Sequence, residues 1–320
     1  MAGRTGVRGG AVLVTGGAGF IGSHLVRELV ARGAARVVVL DSLRYGDPQR
    51  LAGLGGVEVV RHTLGEDPPS ALARSLAGID FLFHLAAEKH NQAVDDPHRV
   101  LRANVEGTYD VLAAAVAAGV RKVVFSSSLY AYGRMTGAPF IETEVPRPTT
   151  VYGISKLCGE HLLAHFARTA GLRWVALRYL FVYGPRQFAG QGYKSVIVRN
   201  AERILAGEAP VVRGDGAQTL DYVFVDDVVD ATIRALEADV TGEVVNVGSG
   251  QGTSIAQLID TLLAVSGRTL TKTYDPPDWT AGSHRVGDVH RARAMLGWNA
   301  RTSLAEGLRR TFEWLETQGR

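Results

Sequence analysis

The sequence predicts an α/β fold: a doubly wound parallel sheet, with a smaller, discontinuous lobe drawn from the C-terminal half. Three observations predict it. Short runs that are apolar throughout alternate with helix-length amphipathic segments, the pattern required by a parallel sheet covered on both faces. A glycine cluster follows the first of these runs directly. Glycine supplies 38 of 320 residues, about 12% against a usual ~7%, without a three-residue period, so the excess belongs to turns and not to a collagen-like chain.

The elements follow in order. Ala11–Val14 is the first buried strand, and Ser23–Arg32 has helical spacing, with Gly33 placed to cap its C-terminus. Val37–Leu40, Val57–Val60 and Phe81–Leu85 read as three further strands. A helix over roughly Val100–Ala118 leads to the strand Lys122–Ser126. Another helix starts near Tyr152, and Trp174–Leu177 and Val244–Val247 complete the strands. From about Tyr179 the alternation loosens as Pro, Gly and aromatic residues increase. The expected division is therefore 1–178, continued by 226–249, for the sheet domain, and 179–225 with 250–320 for the lobe.

Composition excludes several classes. With 46% hydrophobic and 21% charged residues the chain is no disordered polymer. Lys and Arg (35) against Asp and Glu (32) leave +3, too little for a polybasic stripe, so no nucleic-acid partner is expected. The single cysteine, Cys158, cannot close an internal disulfide, which suits a reducing cytoplasm. MAGRTGVRGG is not a secretory signal, and the longest apolar run, Val111–Val120, is ten residues and too short to span a bilayer. A soluble protein without a membrane partner is expected.

Thr15-Gly16-Gly17-Ala18-Gly19-Phe20-Ile21-Gly22 joins the first strand to the first helix. Gly16 can take the tight turn, Gly19 lets the backbone approach a pyrophosphate, and Gly22 lets the helix pack close to the sheet. The helix N-terminus then offers free N–H groups and a positive dipole to the anion. Asp41 ends the second strand 22 residues beyond Gly19, where an acid can bind both adenosine-ribose hydroxyls and repel a 2′-phosphate. That pattern favours NAD over NADP, although Arg44 nearby leaves NADP as the alternative. A glycine-rich turn with a capping Asp is the purely structural alternative.

Tyr152-Gly153-Ile154-Ser155-Lys156 places a phenol and an ammonium four residues apart on one helix face. A free phenol, with pKa about 10, is a poor base near neutrality. A neighbouring ammonium stabilises the phenolate and brings it into working range. Upstream, Ser126-Ser127-Ser128 ends a buried strand, and Ser128 can hydrogen-bond the same substrate hydroxyl.

With these residues in place the chain resembles the extended short-chain dehydrogenase/reductase family, and within it the nucleotide-sugar epimerases and dehydratases. TGGAGFIGSHLV, FHLAA, Asn104–Thr108 (NVEGT), SSSLYAYG, YGISK, LRYLFVYGPRQ, GDGAQTLDYVFVDDV and LGWNARTSLAEGL fall in family order. The resemblance implies a Rossmann-type NAD-binding domain and a nucleotide-sugar-binding lobe. It implies that Tyr152 takes the proton from a sugar 4-hydroxyl while hydride passes from C4 to NAD. Lys156 would lower the tyrosine pKa and hold the nicotinamide ribose, and Ser128 would relay the proton. Phe20, Ile21, Leu85, Ala86, Ala87, Lys89 and Ser126 fall among the cofactor-binding positions; a solvated loop charge is the other reading of Lys89. Ser128, Tyr130, Tyr179, Arg186 and Arg285 fall among the substrate-binding positions. In similar proteins the helix at 100–118 and the one from Tyr152 form a four-helix dimer contact, so a homodimer is implied.

Leu129 and Tyr130 discriminate among reactions. Similar 4,6-dehydratases carry an Asp-Glu pair there to eliminate water across C5–C6. Leucine can neither give nor take a proton, and C4 epimerisation needs no such acid, so a 4-epimerase acting on a UDP-sugar such as UDP-glucuronate or UDP-glucose is the expectation. The alternative is a dehydratase with non-standard acid/base groups, for which Glu88 or His90 in the unusual Glu88-Lys89-His90-Asn91 stretch are candidates. Arg186 can pair with a hexuronate carboxylate or simply clamp its loop. Two departures concern the diphosphate. Leu220 stands where the family usually has a phosphate-binding arginine. A second such arginine is out of register near Asp278–Ser283, leaving His284 and Arg285 as the nearest replacements. His161 and His165, four apart, lack a third ligand, so a helix face is preferred to a metal site and no metal is expected. A non-catalytic dinucleotide-binding sensor or scaffold is the rival class.

Overall fold

The computed structural model describes residues 6–187 and 194–318. The alternation of strands and helices is present along the first half of the chain. It opens with β1 (Ala11–Thr15), α1 (Phe20–Ala31), β2 (Arg36–Asp41), β3 (Val57–Arg61), α2 (Ser70–Leu76) and β4 (Phe81–His84). Two short helices, α3 (His90–Asp95) and α4 (Pro97–Leu101), lead through a π-turn at Arg102–Glu106 into α5 (Gly107–Ala117). β5 (Lys122–Ser128), α6 (Val151–Ala170), β6 (Trp174–Tyr179) and β7 (Phe181–Tyr183) follow. The remainder comprises α7 (Val196–Leu205), β8 (Val211–Arg213), β9 (Thr219–Leu220), β10 (Tyr222–Phe224), α8 (Val225–Glu237) and β11 (Glu243–Val247). Last come β12 (Thr253–Ser254), α9 (Ile255–Ser266), β13 (Thr273–Asp275), β14 (His284–Arg285), α10 (His290–Leu296) and α11 (Leu304–Gln318).

Seven strands form one sheet in the order β11-β6-β5-β4-β1-β2-β3. Every neighbouring pair in it is parallel. The order reverses beside β1, and at such a switch point the crevice beyond the strand ends receives a ligand. Strands that are buried on both faces explain why the runs read as continuous: all seven residues of β5 and all six of β6 are buried. Two apolar layers cover the faces, one built around α1 and α8, the other around α2, α5 and α6.

The helix expected over 100–118 is present, running on from α4 with its hydrogen-bond pattern loosened at the π-turn. There the buried Asn104 side chain turns inward: Nδ2 donates to the Glu88 carbonyl (2.9 Å) and to Ser155 Oγ (3.0 Å), and Oδ1 accepts from the Glu88 N–H (2.8 Å). A π-turn that re-aims one side chain toward a site is a common use of that distortion.

The smaller lobe has its own core around α7, α9 and α11. Its expected boundary needs one correction. Ala292, Leu296 and Trp298 lie in the core under α1 and α8, and Trp298 Nε1 donates to the Asp227 carbonyl (3.0 Å). Residues around α10 therefore pack on the sheet side, because their apolar face matches α8 and β11. Asp221 ties the two parts: its carboxylate accepts from the N–H groups of Ser249, Gly250 and Gly287.

Candidate active site

A cavity of about 780 Å³ opens at the C-terminal ends of the strands. All the glycine-loop residues singled out (Gly16, Gly19, Phe20, Ile21, Gly22) border it, with Asp41, Leu85, Ala86, Ala87 and Lys89. So do Ser126, Ser128, Tyr130, Tyr152, Lys156, Tyr179, Arg186 and Arg285. Sequence reasoning missed Arg50, Phe181 and Trp279, which also border it. Phe181 lies inside a stretch that carries the family resemblance; Arg50 and Trp279 carry no local pattern that announces them.

The glycine loop fits a dinucleotide. A Cβ at Gly22 would drive into the Gly16 carbonyl, so only glycine lets α1 start this close under the loop. Gly19 is the N-cap and offers no side chain, so no cap occupies the first N–H groups of α1. They are left for an anion. Asp41 is buried, and its carboxylate accepts from the N–H groups of Ala18 (3.0 Å) and Leu43 (2.9 Å). It is thus both the loop's anchor and the acid beside the expected ribose. Arg44 is not free to receive a 2′-phosphate: it pairs with Glu66 (3.0 Å) and Glu88 (2.9 Å).

That pairing also removes Glu88 from the list of candidate acids. Its buried carboxylate is paired with Arg44 (2.9 Å) and Arg99 (3.6 Å) rather than presented to the cavity. Lys89 is exposed, with Nζ 5.9 Å from the Tyr45 ring centre at the cavity edge.

The catalytic candidates converge because α6 is pressed against the end of β5. Thr150 caps α6, accepting from the Gly153 N–H (3.0 Å). A Cβ at Gly153 would strike the Tyr130 carbonyl, so the glycine brings Tyr152 beside the turn that follows β5. In that turn Ser128 Oγ accepts from the Tyr130 N–H (3.3 Å), and its hydroxyl is near enough to the Tyr152 phenol to favour the phenolate. Lys156 Nζ donates to the Ser126 carbonyl (2.7 Å) and lies 5.8 Å from the Tyr152 ring centre.

Burial pushes the Tyr152 phenol up to about 12, with the Ser128 hydroxyl pulling the other way. Burial likewise brings Lys156 down to about 7, opposed by the Glu160 carboxylate. The ammonium is directed at a β5 carbonyl, and desolvation outweighs what a more distant charge returns.

Three further expectations change. Tyr179 borders the cavity, but its hydroxyl bonds Thr232 Oγ1 (2.7 Å) inside the core, so its polar group is not offered to a sugar. Arg186 faces α1: Nη1 reaches Ser23 O and Oγ at 3.5 Å, and His24 Nε2 holds the preceding Pro185 carbonyl at 3.0 Å. Of its two readings, the geometry is that of a loop clamp. His161 and His165 are exposed on α6, and no group of three metal-ligating side chains occurs among the described residues.

Arg285 lies beside the position where the family's diphosphate arginine is missing. It is the register partner of Leu220 in the parallel β14–β9 pair, so it stands one strand away from the departed position. The guanidinium is buried, 4.8 Å from the Phe181 ring centre and 5.8 Å from that of Trp279, with Nε and Nη1 lacking partners. A buried cation with unpaired donors at a cavity wall is a seat for an anionic ligand. Leu129, in contrast, is packed among Tyr132, Phe140 and Leu180 and offers no acid.

Known proteins are similar to this chain over most of its length. The family model described as "NAD dependent epimerase/dehydratase family" matches residues 12–248. A UDP-glucose 4-epimerase of Mycolicibacterium smegmatis is 36% identical over 317 residues, 96% of this chain and 98% of that protein. A dTDP-glucose 4,6-dehydratase of Streptomyces griseus is 35% identical over 314 residues, 95% of this chain and 93% of that one. The structure of a UDP-glucose 4-epimerase from Thermotoga maritima with UDP-glucose superposes with a TM-score of 0.90 at 37% identity, covering 97% and 100% of the two chains. The chain belongs to the NAD-dependent epimerase/dehydratase family.

Proposed function

We propose that this enzyme is a 4-epimerase of a UDP-hexose. The observation that carries the reading is the pairing of an intact Ser128–Tyr152–Lys156 set with Leu129 and Tyr130 where elimination of water needs carboxyl groups. The likeness to UDP-glucose 4-epimerases supports UDP-glucose and its C4 epimer as substrates. Held along the glycine loop, NAD would supply a reversible hydride acceptor, and return of the hydride to the opposite face of C4 would invert that carbon.

The protein's own residues do the rest. The N–H groups of α1 and Gly19 receive the cofactor's pyrophosphate, and Asp41 the adenosine ribose. Tyr152 accepts the 4-hydroxyl proton and gives it back, and Ser128, whose oxygen is fixed by the Tyr130 N–H, keeps that phenol in place. Lys156 adds positive charge beneath the pair. Arg285 receives the substrate diphosphate.

A second copy of the chain fits the exposed apolar side chains Val94, Leu101, Tyr109 and Ile154 on α3–α6. No helix among the described residues is long and apolar enough to cross a membrane, and free Cys158 agrees with a cytoplasmic enzyme.

Incubating the protein with NAD and UDP-glucose or UDP-galactose tests the reaction. Interconversion of the two, reduced about 10²–10⁴-fold by Tyr152→Phe, is expected. A 4-keto-6-deoxy sugar as the main product overturns the reading.

A further inference from the structure

His90 opens α3 and is carried to the catalytic tyrosine by the neighbours described above. Glu88 is bolted to Asn104 through both its N–H and its carbonyl, and the Lys89 N–H donates to Gln92 Oε1 (2.7 Å). The imidazole then stacks on Tyr130, with ring centres 4.6 Å apart and planes 25° apart. Its other ring contacts are edge-on to Tyr152 (6.4 Å, 65°) and tilted to Trp279 (6.0 Å). Tyr130 and Tyr152 meet each other edge to face at 5.7 Å. All four rings border the cavity.

The polar atoms of His90 are poorly used by the protein. Nδ1 is buried and has no hydrogen-bond partner. Burial and the Arg285 charge hold the imidazole below its ordinary pKa, so near neutrality the ring carries one proton. A shut-off, unpaired acceptor costs less than a shut-off, unpaired N–H, which places that proton on Nε2. The ring is thereby a neutral donor fixed beside the group that handles the 4-hydroxyl.

We propose that His90 binds the hexose itself: Nε2–H donates to a sugar oxygen next to Tyr152, while the Tyr130–His90 stack and Trp279 cover an apolar face of the ring. This rests on the nucleotide-sugar reading above and adds to it a residue of the hexose subsite. It also explains why Tyr130 is tolerated where a relative that eliminates water needs a carboxyl group: the position serves as a platform for His90.

Equilibrium binding to the NAD-loaded protein separates this role from packing. H90F keeps a flat ring on Tyr130 and removes the donor; H90Q restores an N–H near the same place. UDP, which lacks the hexose, is the control ligand. The expected result is a loss of about 3- to 10-fold in UDP-glucose affinity in H90F, unchanged UDP affinity, and partial recovery in H90Q. H90F binding UDP-glucose as tightly as wild type, or losing UDP affinity equally, overturns the proposal. Wild-type protein that binds UDP-glucose without interconverting it with UDP-galactose overturns the epimerase reading instead, because binding alone is the readout here.

Discussion

Glu160 and Arg178 form a buried ion pair, Nη2 to Oε2 at 2.7 Å and Nε to Oε1 at 2.9 Å, directly behind the catalytic groups. Ser127, the neighbour of Ser128 on β5, donates to the same Glu160 Oε1 at 2.5 Å. Glu160 lies one turn beyond Lys156 on α6, and Arg178 is the register partner of Ser127 across β5–β6. The Arg178 guanidinium also lies 4.5 Å from the Tyr132 ring centre. One carboxylate thus ties the helix carrying Tyr152 and Lys156 to the strand carrying Ser128.

Breaking this pair from one side leaves a buried charge without its partner. Glu160→Leu is expected to lose about 3–5 kcal/mol of stability, and Glu160→Leu with Arg178→Met to regain most of it. Denaturant unfolding of the three proteins checks this. A double variant no more stable than Glu160→Leu alone would show that the pair is not a unit.

The pH dependence of stability follows from Lys156. Its folded pKa of about 7 lies below its ordinary 10.5. Below about pH 7 both folded and unfolded states hold the proton, and the full cost of the buried ammonium applies. Between these values the unfolded state binds more protons, so stability rises with pH through that window. Lys156→Met, without cofactor, is expected to be more stable than wild type near pH 6.5, with the gap closing toward pH 9.5. Thermal melts across that range measure it; a constant gap contradicts the buried-charge account. Tyr152, pushed up to about 12, titrates differently between folded and unfolded states mainly above its ordinary 10, beyond the pH 9.5 end of these melts.

Much of this site was legible because its chemistry is local. Gly16, Gly19 and Gly22 are read from a strand–turn–helix context, and Tyr152 with Lys156 from one helical turn, so spacing alone places them. Roles that depend on where a side chain is aimed were not legible. Tyr179 and Glu88 both border the cavity, yet Thr232 takes the hydroxyl of one and two arginines take the carboxylate of the other. Thr232 lies 53 residues from Tyr179, and Arg44 lies 44 residues from Glu88. The resemblance leaves His284 and Arg285 level as replacements, and register with Leu220 separates them, since a two-residue strand has no periodicity to read. Helix α10 shows the same limit at the scale of the fold: its apolar face fitted either core, and contact with α8 decided it.

Arg186 permits a test that separates backbone from side chain. It is one of two non-glycine residues with positive φ among the described residues, at 67°, a conformation that costs an L-residue roughly 1–2 kcal/mol. The side chain reaches Ser23 on α1, and Arg27 and Arg50 lie close enough to depress its pKa further after burial has done so. Arg186→Ala keeps the strained backbone and loses the clamp; Arg186→Gly loses the clamp and relieves the strain. The glycine variant is therefore expected to be about 1 kcal/mol more stable than the alanine variant. Both are expected to weaken NAD binding, and to raise KM for UDP-glucose and UDP-glucuronate by the same factor. Calorimetric NAD titration and paired kinetics with the two sugars measure these effects. A selective loss of UDP-glucuronate turnover in both variants would return Arg186 to the carboxylate role and overturn the clamp.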